Sequence, residues 1–445
     1  MTAGEIAAAV RDGNVRASDV VAASLARIDA RDPHINAFTA VFGERASARA
    51  RTIDEAVARG EDPGPLAGVP FAAKNLFDVA GVVTRAGASV TAGDPPAAHD
   101  AALIVALERA GAILVGVTNM DEFAYGFVTE NAHDGPTHNP HDLERIAGGS
   151  SGGSGAAVAA GFVSLALASD TNGSIRVPAA LCGIFGIRPT YGRLSTHGAY
   201  PFVNSLDTVG PFARTAADLT LAFGTLAGDH VAAAHTSTPP RIARLGGYFD
   251  AGLLASARGA VDHVCIALGV NGTVELPLAR EAREAAFLIT AAEGGALHAP
   301  RLRERADEYD PATRDRLIAG ALMPAQWYVR AQRFRTLFRA HVAEMFARFD
   351  VLVAPATPYP ATPIGARTIM IDGVETEIRP NVGVFTQPIS LAGVPVVTVP
   401  VIAEATLPVG VQLIGKAGSE AMLLALAERL EREGIVGAGR ALIAA

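Results

Sequence analysis

The hydrophobic and polar positions along the chain follow two periods. Near the N-terminus Val20, Val21, Leu25 and Ile28 recur at helical spacing, with Ser18 predicted as the N-cap, and a second helical stretch covers residues 45–59. Residues 68–71, 113–117 and 163–168 are instead short apolar runs bounded by Gly, Asn or Asp, the pattern of strands buried on both faces. Asp100 is predicted to cap the helix between the first two strands, and Gly111 to close it. Residues 351–354, 395–401 and 409–414 give three more strands, followed by a final helix capped at Ser419. Strand and helix alternate at both ends, which predicts an α/β protein. Residues 236–332 carry weaker strand signals and long Ala-, Arg- and Glu-rich helical stretches, and read as an insertion or lid. No fixed-period repeat and no Gly/Ser linker separates the parts. A single domain over residues 1–445, its sheet drawn from both ends, is expected.

Composition narrows the class. Hydrophobic residues make up 50% of the 445 and charged residues 18%, which excludes a disordered chain and a coiled coil. The sequence has no apolar run long enough for a membrane span and no secretory leader, so a soluble, unexported protein is expected. Cys182 and Cys265 are the only cysteines, too few for a disulfide framework or a cysteine zinc site, and fit a reducing cytoplasm. The formal net charge is −8 without blocks of like charge, so neither nucleic acid nor an anionic membrane is expected as a partner. Of 37 cationic residues only Lys74 and Lys416 are lysines. Arginine cannot lose its proton in a protein, whereas a desolvated lysine can, so each lysine raises the question of whether a neutral amine is required. Lys416 ends an apolar run and reads as structural. Lys74 ends Pro70-Phe71-Ala72-Ala73-Lys74, at a strand terminus.

The most unusual local sequence is Gly148-Gly149-Ser150-Ser151-Gly152-Gly153-Ser154-Gly155, which opens an Ala/Val-rich helix. A phosphate loop would end in Gly-Lys-Ser/Thr, and no lysine follows. Gly149, Ser151 and Gly153 match a nucleophile elbow, but that motif needs a strand immediately before it, and residues 138–145 read as a loop. A glycine-rich turn packing a helix on a sheet explains the glycines and leaves the adjacent serines unexplained. Further on, the strand at 163–168 runs into Ser169-Asp170-Thr171-Asn172-Gly173-Ser174, a turn that presents a hydroxyl beside a row of backbone N–H groups. Those of Thr171, Asn172, Gly173 and Ser174 suit a developing oxyanion, although an ordinary turn with a capping serine shares the pattern. A serine nucleophile needs a base, and His99, His133, His138, His141 and His197 lie in no distinctive motif. Lys74, the serines and the turn at Ser174 supply the parts of a Ser-Ser-Lys relay instead.

With these segments the chain resembles the amidase signature family of serine hydrolases. Further similarity runs through Thr118-Asn119-Met120-Asp121-Glu122-Phe123, Pro189-Thr190-Tyr191-Gly192-Arg193 and the segment from Leu407 to Gly415, and is weakest over residues 236–324. The resemblance implies the amidase signature fold, α/β, with a large twisted mixed sheet covered by helices on both faces. It makes Ser174 the nucleophile, Ser150 the bridging serine and Lys74 the base, with a cis peptide between Gly149 and Ser150. Burial must then lower the Lys74 pKa from about 10.4 toward operating pH. No metal or organic cofactor is implied, because the relay needs none.

Family and triad do not choose the substrate. Asn172, Tyr125-Gly126-Phe127 and Arg176-Val177-Pro178-Ala179-Ala180-Leu181-Cys182-Gly183 look most like the carboxybiuret hydrolase branch. A substrate carboxylate would want a cation, and Arg316 aligns with an arginine that binds the substrate carboxylate in the glutamine-hydrolysing chains of aminoacyl-tRNA amidotransferases; a surface arginine paired with Glu or Asp is the alternative. Tyr125 and Arg316 are thus the expected substrate-binding residues. A glutamine-hydrolysing amidotransferase chain is the second reading, but Asn381-Val382-Gly383 stands where those chains carry an acidic residue. A general aryl or indoleacetamide amidase and a catalytically silent scaffold are the others. The expected partner is a small amide, with a small accessory subunit implied by the resemblance and homo-oligomerisation left open.

Overall fold

Apolar runs bounded by glycine or turn residues become the strands of one large sheet in the computed structural model, which describes residues 1–228, 239–270, 272–401 and 407–439. From one edge the eleven strands run Phe38–Val41, Ile113–Thr118, Pro70–Lys74, Leu165–Asp170, Thr208–Ala213, Phe185–Arg188, Val396–Val401, Val409–Gly415, Val351–Pro355, Ile242–Leu245 and Thr273–Val274. The sheet is mixed and flanked by helices. Pro70–Lys74 is parallel to both Ile113–Thr118 and Leu165–Asp170, and Thr208–Ala213 pairs antiparallel with the latter. Parallel central strands must be covered on both faces, and each residue of these three is buried, as their unbroken apolar character requires. Phe71, Phe162, Phe185 and Phe212 are fully buried in the core, each contributing roughly 1.5–3 kcal/mol.

The predicted strands appear within three residues of their expected ends, and several caps do not appear as predicted. Ser18 lies inside the helix Ala17–Ile35, whose free N–H groups at Ala17 and Ser18 go to the Asp54 carboxylate from another helix. Asp100 precedes the helix Ala102–Arg109 without capping it; its carboxylate accepts from Arg45 and from the Ala80 N–H. Ser419 holds the N-cap position of Glu420–Arg432, but its hydroxyl donates back to the Lys416 carbonyl. In each case a tertiary partner or a competing local bond takes the capping group.

Residues 236–238 of the expected insertion lie outside the described residues. Its helices are present as Ala255–Ala267, Ala279–Arg305, Pro311–Ala321 and Ala325–Arg348. The same stretch also supplies Ile242–Leu245 and Thr273–Val274 to the main sheet, so it is stitched into the fold as well as laid over it. Ile242–Leu245 alternates half-buried and buried positions near the sheet edge, which weakens its apolar signal. Among the described residues no helix is long and apolar enough to cross a membrane.

Candidate active site

Three strand ends meet at one point. The parallel register sets Ala73 opposite Leu167 and Lys74 opposite Thr118, so Lys74, Thr118 and Ser169-Asp170 gather at the C-terminal ends of their strands, where open α/β sheets place their ligands. The glycine-rich segment crosses this end and becomes the helix Gly152–Ala159. Its small residues let it lie directly on the sheet, where Ser154 Oγ bonds Leu167 O at 3.0 Å and Thr118 Oγ1 at 2.7 Å. The segment before it, expected as a loop, is a short hairpin of His138–Asn139 with Asp142–Ile146, separate from the main sheet.

Ser150 sits where this segment enters, after a cis Gly149–Ser150 peptide. A Cβ on Gly149 would lie 2.0 Å from Asp121 Oδ2 and 2.6 Å from the Val128 nitrogen, so only glycine fits. Asp121 braces the bend: its N–H donates to the Ser150 carbonyl at 3.2 Å and its carboxylate accepts from the Thr129 N–H at 3.1 Å. Lys74 Nζ donates to Ser150 Oγ at 2.6 Å and to Ser169 Oγ at 2.9 Å. The amine is fully buried, and burial, only partly opposed by Asp121, Asp207 and Asp170, lowers its pKa from 10.5 to about 7.

Ser174 follows the strand Leu165–Asp170 in the turn expected for it, and lines a cavity of about 760 Å³. The backbone N–H groups of Thr171, Asn172, Gly173 and Ser174 make no hydrogen bond within the described residues. Gly173 has φ +142°, and a Cβ there would stand 2.2 Å from Thr386 Oγ1, the hydroxyl that donates to the Asn172 carbonyl at 2.6 Å. Beneath the turn, the Asp170 carboxylate takes the Ile175 N–H at 3.1 Å and pairs with Arg176 at 3.0 Å and Arg188 at 2.9 Å, all three side chains fully buried. Burial opposes ionisation of Asp170, but the two guanidinium groups outweigh it and hold the carboxyl well below its ordinary range.

Tyr125 and Arg316 are brought together on the cavity wall. The Arg316 guanidinium lies 3.9 Å from the centre of the Tyr125 ring and donates from Nη2 to the Tyr125 carbonyl at 2.5 Å and from Nε to the Ala312 carbonyl at 2.7 Å. Both acceptors are neutral, and no carboxylate forms an ion pair with it among the described residues. Burial lowers its pKa. Tyr125 Oη is buried without a hydrogen-bond partner among the described residues.

Sequence reasoning passed over Ser169, Asp121 and the arginines Arg280, Arg283 and Arg379 of the same cavity. The signal for Ser169 was its place in the sequence, directly after the predicted strand 163–168 and at the start of the turn that carries Ser174. Nothing in the local sequence of Arg283 distinguishes it from the other arginines.

Known proteins share both the fold and the sequence of this chain. The amidase family model matches residues 19–260 and 273–424. The 1-carboxybiuret hydrolase subunit AtzE of Pseudomonas sp. (strain ADP) is 48% identical over 97% of this chain and 98% of its own. A glutamyl-tRNA(Gln) amidotransferase chain of Anaeromyxobacter sp. (strain K) is 40% identical over 96% of this chain and 95% of its own. A solved structure described as a vestigial protein complex revealing the origins of an s-triazine catabolic enzyme superposes with TM-score 0.96 at 47% identity, covering 99% of this chain and 100% of that one. Fold and relatives together define an enzyme that hydrolyses a small amide or urea-type substrate. Within that class, the chain belongs to the amidase signature family.

Proposed function

We propose that the chain hydrolyses the terminal amide of 1-carboxybiuret through an acyl-enzyme on Ser174, with Ser150 as proton bridge and Lys74 as base. As Ser174 Oγ attacks the amide carbonyl, its proton passes to Ser150 Oγ and the Ser150 proton to the neutral Lys74 amine. Collapse of the tetrahedral adduct breaks the C–N bond, and the proton returns through Ser150 to the nitrogen, which leaves as ammonia. Water, deprotonated through the same relay, then attacks the acyl carbonyl; as the bond to Ser174 Oγ breaks, the proton returns through Ser150 to Ser174 Oγ, releasing a twice-carboxylated urea and restoring neutral Lys74. The unbonded N–H groups of Thr171, Asn172, Gly173 and Ser174 are the donors for the oxyanion.

The observation that carries the substrate reading is Arg316, a cavity-wall guanidinium whose hydrogen-bond acceptors are both neutral carbonyls. Such a group suits a substrate carboxylate, and the 48% identity to a carboxybiuret hydrolase subunit supports the same choice. A small accessory subunit belongs to this reading, since that relative is named as one subunit and the similar solved structure is described as a complex. The test is ammonia release from carboxybiuret, biuret, glutamine, indoleacetamide and benzamide, with Ser174→Ala as blank. Carboxybiuret should be preferred, and Arg316→Leu should lower its kcat/KM by about a hundredfold, as loss of a charge-assisted contact does. Release from glutamine alone would establish the amidotransferase reading instead, and release only from aryl or indole amides would leave the relay and discard the carboxylate clamp.

A further inference from the structure

The cavity is cationic well beyond Arg316. Arg280, Arg283 and Arg379 also line it, against Glu284 as the one carboxylate among the described lining residues. Arg379 is matched by Glu130 at 2.7 Å. Arg283 has no such partner among the described residues: its Nε donates to Gln387 Oε1 at 3.0 Å, and its Nη2 to the Pro380 carbonyl at 2.7 Å and Asn381 Oδ1 at 3.1 Å. The Tyr248 phenol beside it has its pKa pushed up to about 12 by burial and is neutral too. Uncharged oxygens fix the guanidinium in place and leave its positive charge for the cavity.

Its place relative to the reacting turn follows from two links. Gln387 directly follows Thr386, whose hydroxyl holds the Asn172 carbonyl in the turn that carries Ser174. Arg283 also shares the helix Ala279–Arg305 with Thr290, which accepts from Asn172 Nδ2 at 2.7 Å. Seven residues are about two helical turns, so both side chains lie on the face that lines the cavity. The helix thus touches the turn at one point and presents a cation about 10 Å further along its axis.

We propose that Arg283 is a specificity-determining residue that donates to a carbonyl oxygen in the middle of a ureido acyl chain and repels an ammonium group from the same region. The proposal rests on the carboxybiuret reading above. In 1-carboxybiuret the carboxylate carbon and the scissile carbonyl are separated by nitrogen, carbon and nitrogen; in glutamine three carbons occupy the same places. The two ends therefore overlay and only the middle differs. The ureido chain carries a carbonyl oxygen on its central atom, whereas glutamine carries an ammonium on the atom next to the carboxylate. A guanidinium reaching that middle favours the first and disfavours the second. Glutaramate, with three methylene groups between the same ends, offers neither and is the reference.

Steady-state kinetics on carboxybiuret, glutaramate and glutamine, for the wild type and Arg283→Met, test this. The kcat/KM ratio of carboxybiuret to glutaramate should fall about ten- to a hundredfold in the variant, chiefly through KM, while the ratio of glutamine to glutaramate rises. Asn381→Asp, which sets a carboxylate against Arg283, should move both ratios in the same directions while keeping the arginine. Labelling of Ser174 by a sulfonyl fluoride shows that each variant is folded; should Arg283→Met fail to label, Asn381→Asp decides. Ratios within twofold of the wild type in the folded variants overturn the role of Arg283. A wild type that does not favour carboxybiuret over glutaramate overturns the ureido reading instead.

Discussion

The Lys74 amine donates to the Ser150 hydroxyl at 2.6 Å across 76 residues of chain. One group ends a central parallel strand, and the other enters the glycine-rich helix laid across the ends of the strands. Because the sheet and helix bury the amine completely and its hydrogen-bond partners are hydroxyls, no carboxylate among the described residues contacts it to offset the loss of solvation. The proposed relay therefore has a large share of its base in the neutral form near physiological pH.

The acid limb of the kcat/KM profile should accordingly follow Lys74. With its pKa lowered to about 7, the neutral fraction and the rate should fall about tenfold per pH unit well below 7. Lys74→Arg keeps a cation that cannot deprotonate and should cost about 10²–10⁴-fold in kcat/KM across the whole range. A profile set by a group titrating near pH 4 or 10 would remove Lys74 from the role of base.

The same shift should appear in stability. The unfolded chain holds the Lys74 proton up to about 10.5, the folded chain only up to about 7. Stability linked to this group is thus full above about 10.5, declines as pH falls through that window and levels off below about 7. Lys74→Met removes the dependence. Urea midpoints between pH 6 and 10 should show the wild type gaining on the variant as pH rises, and parallel curves would contradict the shifted pKa.

Gly173 tests the turn. Alanine there would put a Cβ 2.2 Å from Thr386 Oγ1 in a backbone conformation at φ +142°. Displacing Thr386 or the turn misaims the N–H groups, so Gly173→Ala should lower kcat/KM by about 10²–10³-fold, the range for losing an oxyanion donor. The rate of Ser174 labelling should fall with it; labelling at the wild-type rate would show that the turn tolerates the methyl group.

The parts of this site that were legible in the sequence are those encoded by local chemistry. Short buried strands announce themselves by unbroken apolar runs, and Lys74, Ser150 and the turn at Ser174 by residue types rarely placed together. Tertiary choices were not legible. Asp54 and Arg45 displaced Ser18 and Asp100 as cap and capped partner because each lies close only in the folded chain. Ile242–Leu245 joins the sheet near its edge, where half of each strand remains accessible and the apolar pattern is diluted. Arg283 matters through neutral neighbours about a hundred residues away, Gln387 and Asn381, and no period or motif marks that meeting.

Asp170 is the strongest test of how the turn is supported. Its carboxylate is held between Arg176 and Arg188 with no solvent access, and Arg176 reaches further to Gln412 Oε1 at 2.8 Å and Ser390 Oγ at 2.5 Å. Asp170→Asn keeps the shape and removes the charge, leaving two buried guanidinium groups facing a neutral amide. Removing one partner of a buried ion pair costs about 3–5 kcal/mol, so chemical denaturation should show a loss of that order. The pH dependence has a definite sign. Because the folded carboxyl is held below its ordinary 3.8, its contribution is complete above that value and is lost as pH falls through the depressed folded pKa. The wild type should therefore lose stability steeply below about pH 4, and Asp170→Asn should lose less over the same interval. Equal acid sensitivity would place the acid-labile support of the turn elsewhere.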